Sequence, residues 1–297
     1  MNNLSYIKSV YKPFRITKNK SVMIIDSTEG KFVLKKENKD LYTLFNYLNK
    51  RGFSNFPKLV KNFRDEENLF EYVSEEDTFK EQKLSALSGV LSSLHNKTVY
   101  FKSTSLDNYK EIYENISSNL KYIANYYNVM FLSFLNDEYQ SPSKYLFSRN
   151  YFKIKEAIKF CSDELENWYN LVQDKENVRV SVVHNNLAMD HFIDNNESPV
   201  LISWDNYKID TPVLDFVTLY HNEYLNYDFS SFLTEYLSTF ELLEEEKKLL
   251  FILISIPLLV TKGNTEFENT KKMHENIIYL YKTEKLIKPY YVNNNST

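Results

Sequence analysis

The chain has 297 residues, enough for two compact regions that each bury a core. Its 43% hydrophobic and 26% charged residues are ordinary for a globular protein, and a net charge of -4 argues against a nucleic-acid partner, which needs a basic surface. The single cysteine, Cys161, excludes an intramolecular disulfide and a cysteine zinc cluster.

The first residues, M-N-N-L-S-Y-I-K, lack the apolar centre of a signal peptide. Residues 21 to 36 set two apolar runs around D-S-T-E-G, which predicts a β-hairpin. Leu41, Leu44, Phe45 and Leu48 then recur at helical spacing and stop at Gly52. F-P-K-L-V-K-N-F and E-N-L-F-E-Y-V read as two further strands about an R-D-E-E turn, giving the order β-β-α-β-β. After residue 74 the pattern turns helical, so a β-rich region over 1–74 and a helix-rich region over 75–297 are expected. Leu84, Leu87, Val90, Leu91 and Leu94 form one apolar stripe; Ile112, Ile116, Leu120 and Ile123 form another; a third helix is predicted over roughly 150 to 173. Val178 to Val183 and F-I-D-N-N-E-S-P-V-L-I-S-W read as strands, the latter a short hairpin, and from Pro212 onward the chain is again mostly helical, with a frayed N-N-N-S-T end. The longest apolar run, Leu249 to Val260, is too short for a bilayer, which takes about 20 residues, so it is expected as a buried core helix with no membrane role.

A small sheet with one crossing helix, followed by a helical region bearing a β-hairpin loop, resembles the protein kinase-like fold, an α+β architecture of two lobes. The details resemble its aminoglycoside phosphotransferase and choline kinase branch, and within it the spore-coat CotS-type proteins. G-K-F-V-L-K looks like the strand carrying the nucleotide lysine, which would be Lys35. L-S-S-L-H at 91 to 95 resembles an "LxxLH" helix end. V-V-H-N-N-L-A-M-D-H-F-I, from 182, stands where the family has H-G-D-x-x-x-x-N and two apolar residues. L-I-S-W-D at 201 to 205 stands where it has an "IDW" or "IDFD" metal motif, D-T-P-V-L-D-F resembles its "DPxxDL" segment, and the run from Glu244 to Pro257 resembles the late helix of CotS-like chains.

By the resemblance the cofactors would be ATP and magnesium, but the residues depart from what that chemistry uses, so the expectation is no cofactor, with ATP and magnesium as the alternative. Phosphoryl transfer needs a lysine, magnesium and a carboxylate base. The base position holds Asn186, an amide that cannot take a proton near neutral pH, where general-base catalysis supplies about 10²–10⁴-fold. The loop's magnesium ligand falls at His191 and the main metal carboxylate at Ser203, neither of which offers the anionic or hard oxygen donor magnesium prefers. From Phe14 to Ile25 there is no glycine to let backbone approach phosphate, although Lys18 and Lys20 could supply charge. Asp40, then Glu37, are the nearest acids to pair with Lys35, which could equally be a strand-end surface lysine. Asp205 could hold a residual cation and Asp190 could reach a substrate, or both are loop acids in turns. His184 is expected to hydrogen-bond backbone near the metal-motif turn, Asp215 to fix the loop's shape, and Trp204 to lie in the core. His184 and His191 alone, without a third ligand at a recognised spacing, do not make a zinc site. The acidic run Glu244–Glu246 reads as the solvated start of a helix.

The expected function is therefore that of a catalytically impaired kinase-like protein, a pseudokinase, acting by binding or scaffolding. By the family resemblance its partners would be spore-coat components, in the cytoplasm or spore coat of a Gram-positive bacterium. The alternative is an active small-molecule phosphotransferase that uses ATP and magnesium through Asp190 or Asp205. A binding protein for some other ligand is a third possibility.

Overall fold

A computed structural model describes residues 3–19, 22–36, 39–63, 67–135, 137–195 and 198–292. Lys20, Glu37 and the 293–297 tail lie outside the described residues. The chain forms two compact units, one of Met1–Val99, Ser181–Ile209 and Glu235–Phe240, the other of Tyr100–Val180, Asp210–Thr234 and Glu241–Thr297.

The first unit opens with α1 (Asn3–Tyr11), β1 (Pro13–Asn19), β2 (Val22–Ser27) and β3 (Gly30–Lys36), continues through α2 (Leu41–Lys50), β4 (Leu59–Asn62) and β5 (Glu67–Glu71), and reaches α3 (Lys80–Thr98). The strands make one antiparallel sheet in the order β1-β2-β3-β5-β4. The expected β-β-α-β-β order is present, with α1 and β1 added in front. What was read as a glycine-free phosphate stretch is thus largely strand: β1 pairs with β2 from Pro13↔Ser27 to Asn19↔Val22, with Lys18 exposed on it.

Alternation along β3 sorts the sheet's two faces. Phe32 and Leu34 join Ile7, Ile25, Phe63 and Leu69 in the core under α1. The opposite face takes α2, whose Leu41, Leu44, Phe45 and Leu48 are all buried, as their spacing requires. Phe45 stacks on Phe56 at 4.3 Å and meets Phe70 and Trp204 edge-on. Asp40, expected to pair with Lys35, instead caps α2. It accepts from the Thr43 amide at 3.1 Å and from the Thr43 hydroxyl at 2.6 Å. The hydroxyl bond first, then the amide bond, holds its carboxyl below the usual range. An N-cap satisfies a helix amide that has no partner in the first turn, so Asp40→Ala should cost about 1 kcal/mol in chemical denaturation. A loss under about 0.3 kcal/mol would show the cap to be idle.

The sheet ends close to residue 74, yet compactness gathers more than the sheet into this unit. The segment 181–209 belongs to it because its backbone is stitched to the N-terminal part: Leu201 N–H donates to the Asn55 carbonyl at 3.0 Å, Asn55 Nδ2 to the Pro199 carbonyl at 2.8 Å, and Glu76 N–H to the Asp194 carbonyl at 2.9 Å. A change of composition along the chain marks where the sheet stops, but it carries no information on which distant segment returns.

The second unit holds β6 (Tyr100–Ser103), α4 (Leu106–Phe134), α5 (Pro142–Val172) and the start of β7 (Asn177–Val183), which pairs antiparallel with β6. After β8 (Phe192–Ile193), β9 (Val200–Leu201) and β10 (Lys208–Asp210) the chain returns to it through α6 (Val213–Glu223), the part of α7 (Phe229–Thr239) that precedes Glu235, α8 (Glu244–Ser255) and α9 (Glu266–Val292). On α5, Phe147, Tyr151, Ile154, Cys161, Leu165, Trp168 and Val172 fall at steps of three, four or seven residues, which keep to one face of the helix, and are all buried, against α4, α8 and α9. The apolar run from Leu249 is the buried helix expected, but it ends at Ser255, because Pro257 disfavours helical backbone at the residue before it. Among the described residues no helix is long and apolar enough to cross a membrane.

The acidic run at the start of α8 is not uniformly solvated. Glu246 is buried, and its carboxylate takes the Arg179 guanidinium and the Leu243 N–H at 2.9 Å. On α6, His221 Nε2 lies 2.9 Å from the Tyr279 hydroxyl, whose own proton goes to the Ile254 carbonyl. His221 must therefore donate from Nε2, and burial lowers its affinity for a second proton. The unfolded chain, with histidine near 6.5, then binds more protons than the folded one below that pH. Stability should fall as pH drops below about 6.5, and His221→Asn should flatten that part of a melting-temperature profile between pH 5 and 8. A variant profile parallel to the parent's would assign the slope to other groups.

Candidate functional site

Three segments of the first unit converge here: the loop 184–191 after β7, the turn 203–206 after β9, and the end of β3. The loop and turn are tied directly. His184 Nε2 donates to the Ile202 carbonyl at 2.8 Å, Asn185 Nδ2 to the Asn206 carbonyl at 3.1 Å, and Ile202 N–H to the His191 carbonyl at 2.9 Å. Asn185 (φ +56°) and Ser203 (φ +65°) both adopt left-handed backbone, which reverses the chain sharply at each place. Asparagine is among the residues that tolerate this region best, whereas serine has no such advantage.

Beneath them lies Trp204, almost fully buried, with Nε1 donating to the Leu201 carbonyl at 2.7 Å. Its ring meets Phe45 and Phe53 edge-on and receives the His184 ring at a centroid distance of 4.9 Å. The core of the sheet and the frame of the loop are therefore one aromatic cluster.

The residues that the sequence resemblance sets at catalytic positions are placed as follows. Asn186 has a neutral side chain, and its carbonyl accepts a bond from His191 Nδ1 at 2.6 Å. A carbonyl can only accept, so Nδ1 carries the proton and His191 closes the loop upon itself. Ser203, expected at the metal position, stands at the left-handed turn before Trp204–Asn206. Asp190 is exposed on a 3-10 turn, Met189–His191. Among the described residues no three His, Cys, Asp or Glu side chains gather as a metal set. Asp215 is fully buried in the first turn of α6, in the second unit.

Lys35 and Asp205 are brought together. The ammonium lies 2.7 Å from Asp205 Oδ2, with the side chains 19% and 35% exposed. This is the largest departure from expectation at the site, since neither Asp40 nor the α2 helix supplies the lysine's acid. The signal was in the sequence: α2 reads L-Y-T-L-F-N-Y-L-N-K, with no carboxylate, and its inward face is spent on the aromatic core. Asp205, the acid expected to hold a residual cation, is thereby already paired. Magnesium asks for several oxygen ligands in octahedral geometry.

Neither a protein-family model nor a curated protein matches the chain by sequence. Solved structures do match. An aminoglycoside phosphotransferase from Alicyclobacillus acidocaldarius subsp. acidocaldarius DSM 446 aligns with a TM-score of 0.66 at 10% identity, over 93% of this chain and 93% of the other. Spectinomycin phosphotransferase bound to AMP aligns at 0.55 and 12% identity, over 94% of this chain and 96% of that one. Its complex with ADP and spectinomycin aligns at 0.51 and 13%, over 95% and 97%. At such identities the likeness is one of fold: a β-rich N-terminal sheet followed by a larger helical region, in the kinase-like arrangement.

Proposed function

We propose that this chain uses a phosphotransferase fold without phosphoryl transfer, and works by binding, as a pseudokinase. The observation that carries the reading is the Lys35–Asp205 ion pair at 2.7 Å beside a loop whose base position is an amide. In a working site the lysine holds phosphate while carboxylates hold magnesium and accept the hydroxyl proton. Here the lysine and Asp205 neutralise each other, His191 is bound to its own loop, and Ser203 carries no charge. The loop's geometry is nevertheless maintained by His184, Asn185 and Trp204, which supports a role that needs its shape. The sequence resemblance to CotS-type proteins extends this to a scaffold among spore-coat components of a Gram-positive bacterium.

The purified chain, given magnesium-ATP and a panel of aminoglycoside and amino-alcohol acceptors, should release or transfer no γ-phosphate beyond an Asp205→Asn control. A magnesium-dependent rate that Asp205→Asn abolishes, with the fold intact, would overturn the proposal in favour of an active phosphotransferase built on Asp205.

A further inference from the structure

We propose that the free edge of β1 is a docking surface for an extended acidic segment of a partner protein, which adds a strand to the N-terminal sheet. Residues 1–25 hold five of the chain's 36 Lys and Arg, at positions 8, 12, 15, 18 and 20, and none of its 40 Asp and Glu. The first acid is Asp26. A chain of net charge -4 thus concentrates positive charge on α1 and β1. Lys8, Lys12, Arg15 and Lys18 are exposed, and none is ion-paired among the described residues.

β1 stands at the end of the five-stranded sheet and pairs with β2 on one side only. The pairing shifts between Pro13 and Arg15, which leaves Phe14 on a bulge, 73% exposed, and then runs regularly from Arg15 to Asn19. Along an antiparallel edge strand, alternate backbone N–H and C=O groups point away from the neighbour. This regular stretch therefore offers a row of donors and acceptors that no described backbone group takes up. Side chains alternate between the two faces of a strand, so Arg15 and Lys18, three apart, flank that edge from opposite faces.

These features together select the partner. A second copy paired edge to edge would set cations against cations, which destabilises a strand pair, whereas opposite charges across strands stabilise it. A membrane or a nucleic acid would answer the charge but not the row of backbone groups. An extended acidic peptide answers both, its main chain supplying affinity and its side chains specificity, with Phe14 as an apolar contact at one end. The reading concerns the sheet edge and stands whether or not the loop transfers phosphate.

The test adds a fluorescent peptide, S-T-E-V-T-E-L-T-E-S, to the full chain; its acids are three apart, as Lys12, Arg15 and Lys18 are. Fluorescence anisotropy should show binding, and hydrogen exchange of the β1 amides should slow. A peptide of equal charge with both apolar residues replaced by proline, which cannot continue the ladder, should bind about tenfold more weakly or worse. Arg15→Glu with Lys18→Glu should weaken the acidic peptide by about tenfold or more and bind instead the peptide in which lysine replaces each glutamate, which also shows that the variant is folded. The proposal is overturned if the acidic peptide fails to bind at millimolar concentration, if the proline peptide binds as tightly, or if the double variant keeps its affinity. Binding of phosphatidylglycerol vesicles without binding of the peptide would overturn it too, and make the surface a membrane contact.

Discussion

Trp204→Ala should cost about 3–5 kcal/mol, the usual price of emptying a large aromatic site in a core. The ring is 1% exposed and is shared by Phe45, Phe53 and His184, so its removal opens a cavity common to α2, the segment after it and the loop. The Leu201 carbonyl also loses its Nε1–H donor. Trp204→Phe should lose less, because packing is mostly kept and only the hydrogen bond and part of the ring go. Urea denaturation followed by far-ultraviolet circular dichroism gives both values. An alanine variant within about 1 kcal/mol of the parent would mean that the loop is not anchored through this residue.

Arg179→Ala should be comparably severe, at about 3–5 kcal/mol, for an electrostatic reason. The guanidinium Nε donates to Glu246 Oε1 at 2.9 Å, Nη2 bonds the other carboxylate oxygen, and Nη2 also donates to the Glu241 carbonyl at 2.7 Å. Side-chain exposures of 13% and 6% place the pair away from water. Truncating the arginine strands a buried carboxylate; truncating both charges does not. The double variant Arg179→Met with Glu246→Gln should therefore recover much of the loss, since glutamine can still accept the Leu243 N–H. The chain has two tryptophans, Trp168 and Trp204, one in each unit, so Trp168 fluorescence in a Trp204→Phe background reports unfolding of the unit that contains the pair. A double variant no more stable than Arg179→Ala would contradict the stranded-charge account.

Much of the fold was legible because period and punctuation are local. The α2 stripe, the 21–36 hairpin around Gly30 and the α3 leucines all stand where spacing placed them. The α1 helix was not legible: Ile7 reaches the core from a short segment that carries only a weak apolar pattern. Glu246 looked like one of three equivalent helix-start acids, and only packing singles it out for Arg179. At the site, Asn186, His191 and Ser203 were singled out by the family resemblance of their segments. The partner of Lys35 was not legible, because Asp205 is 170 residues away in the chain. Asp40, five residues from Lys35 in sequence, had already been claimed by the helix amides beside it.

On the pseudokinase proposal, the described residues around Lys35, Asn186, His191, Ser203 and Asp205 hold no magnesium-ATP. Melting the intact chain with ATP, with magnesium, and with both is the decisive measurement. Magnesium should add nothing to whatever ATP does alone, and Lys35→Met should leave all three curves in the same order. A ligand present at 100 times its dissociation constant contributes about 2.7 kcal/mol of stability. A magnesium-dependent gain of that size, lost in Asp205→Asn, would contradict the account.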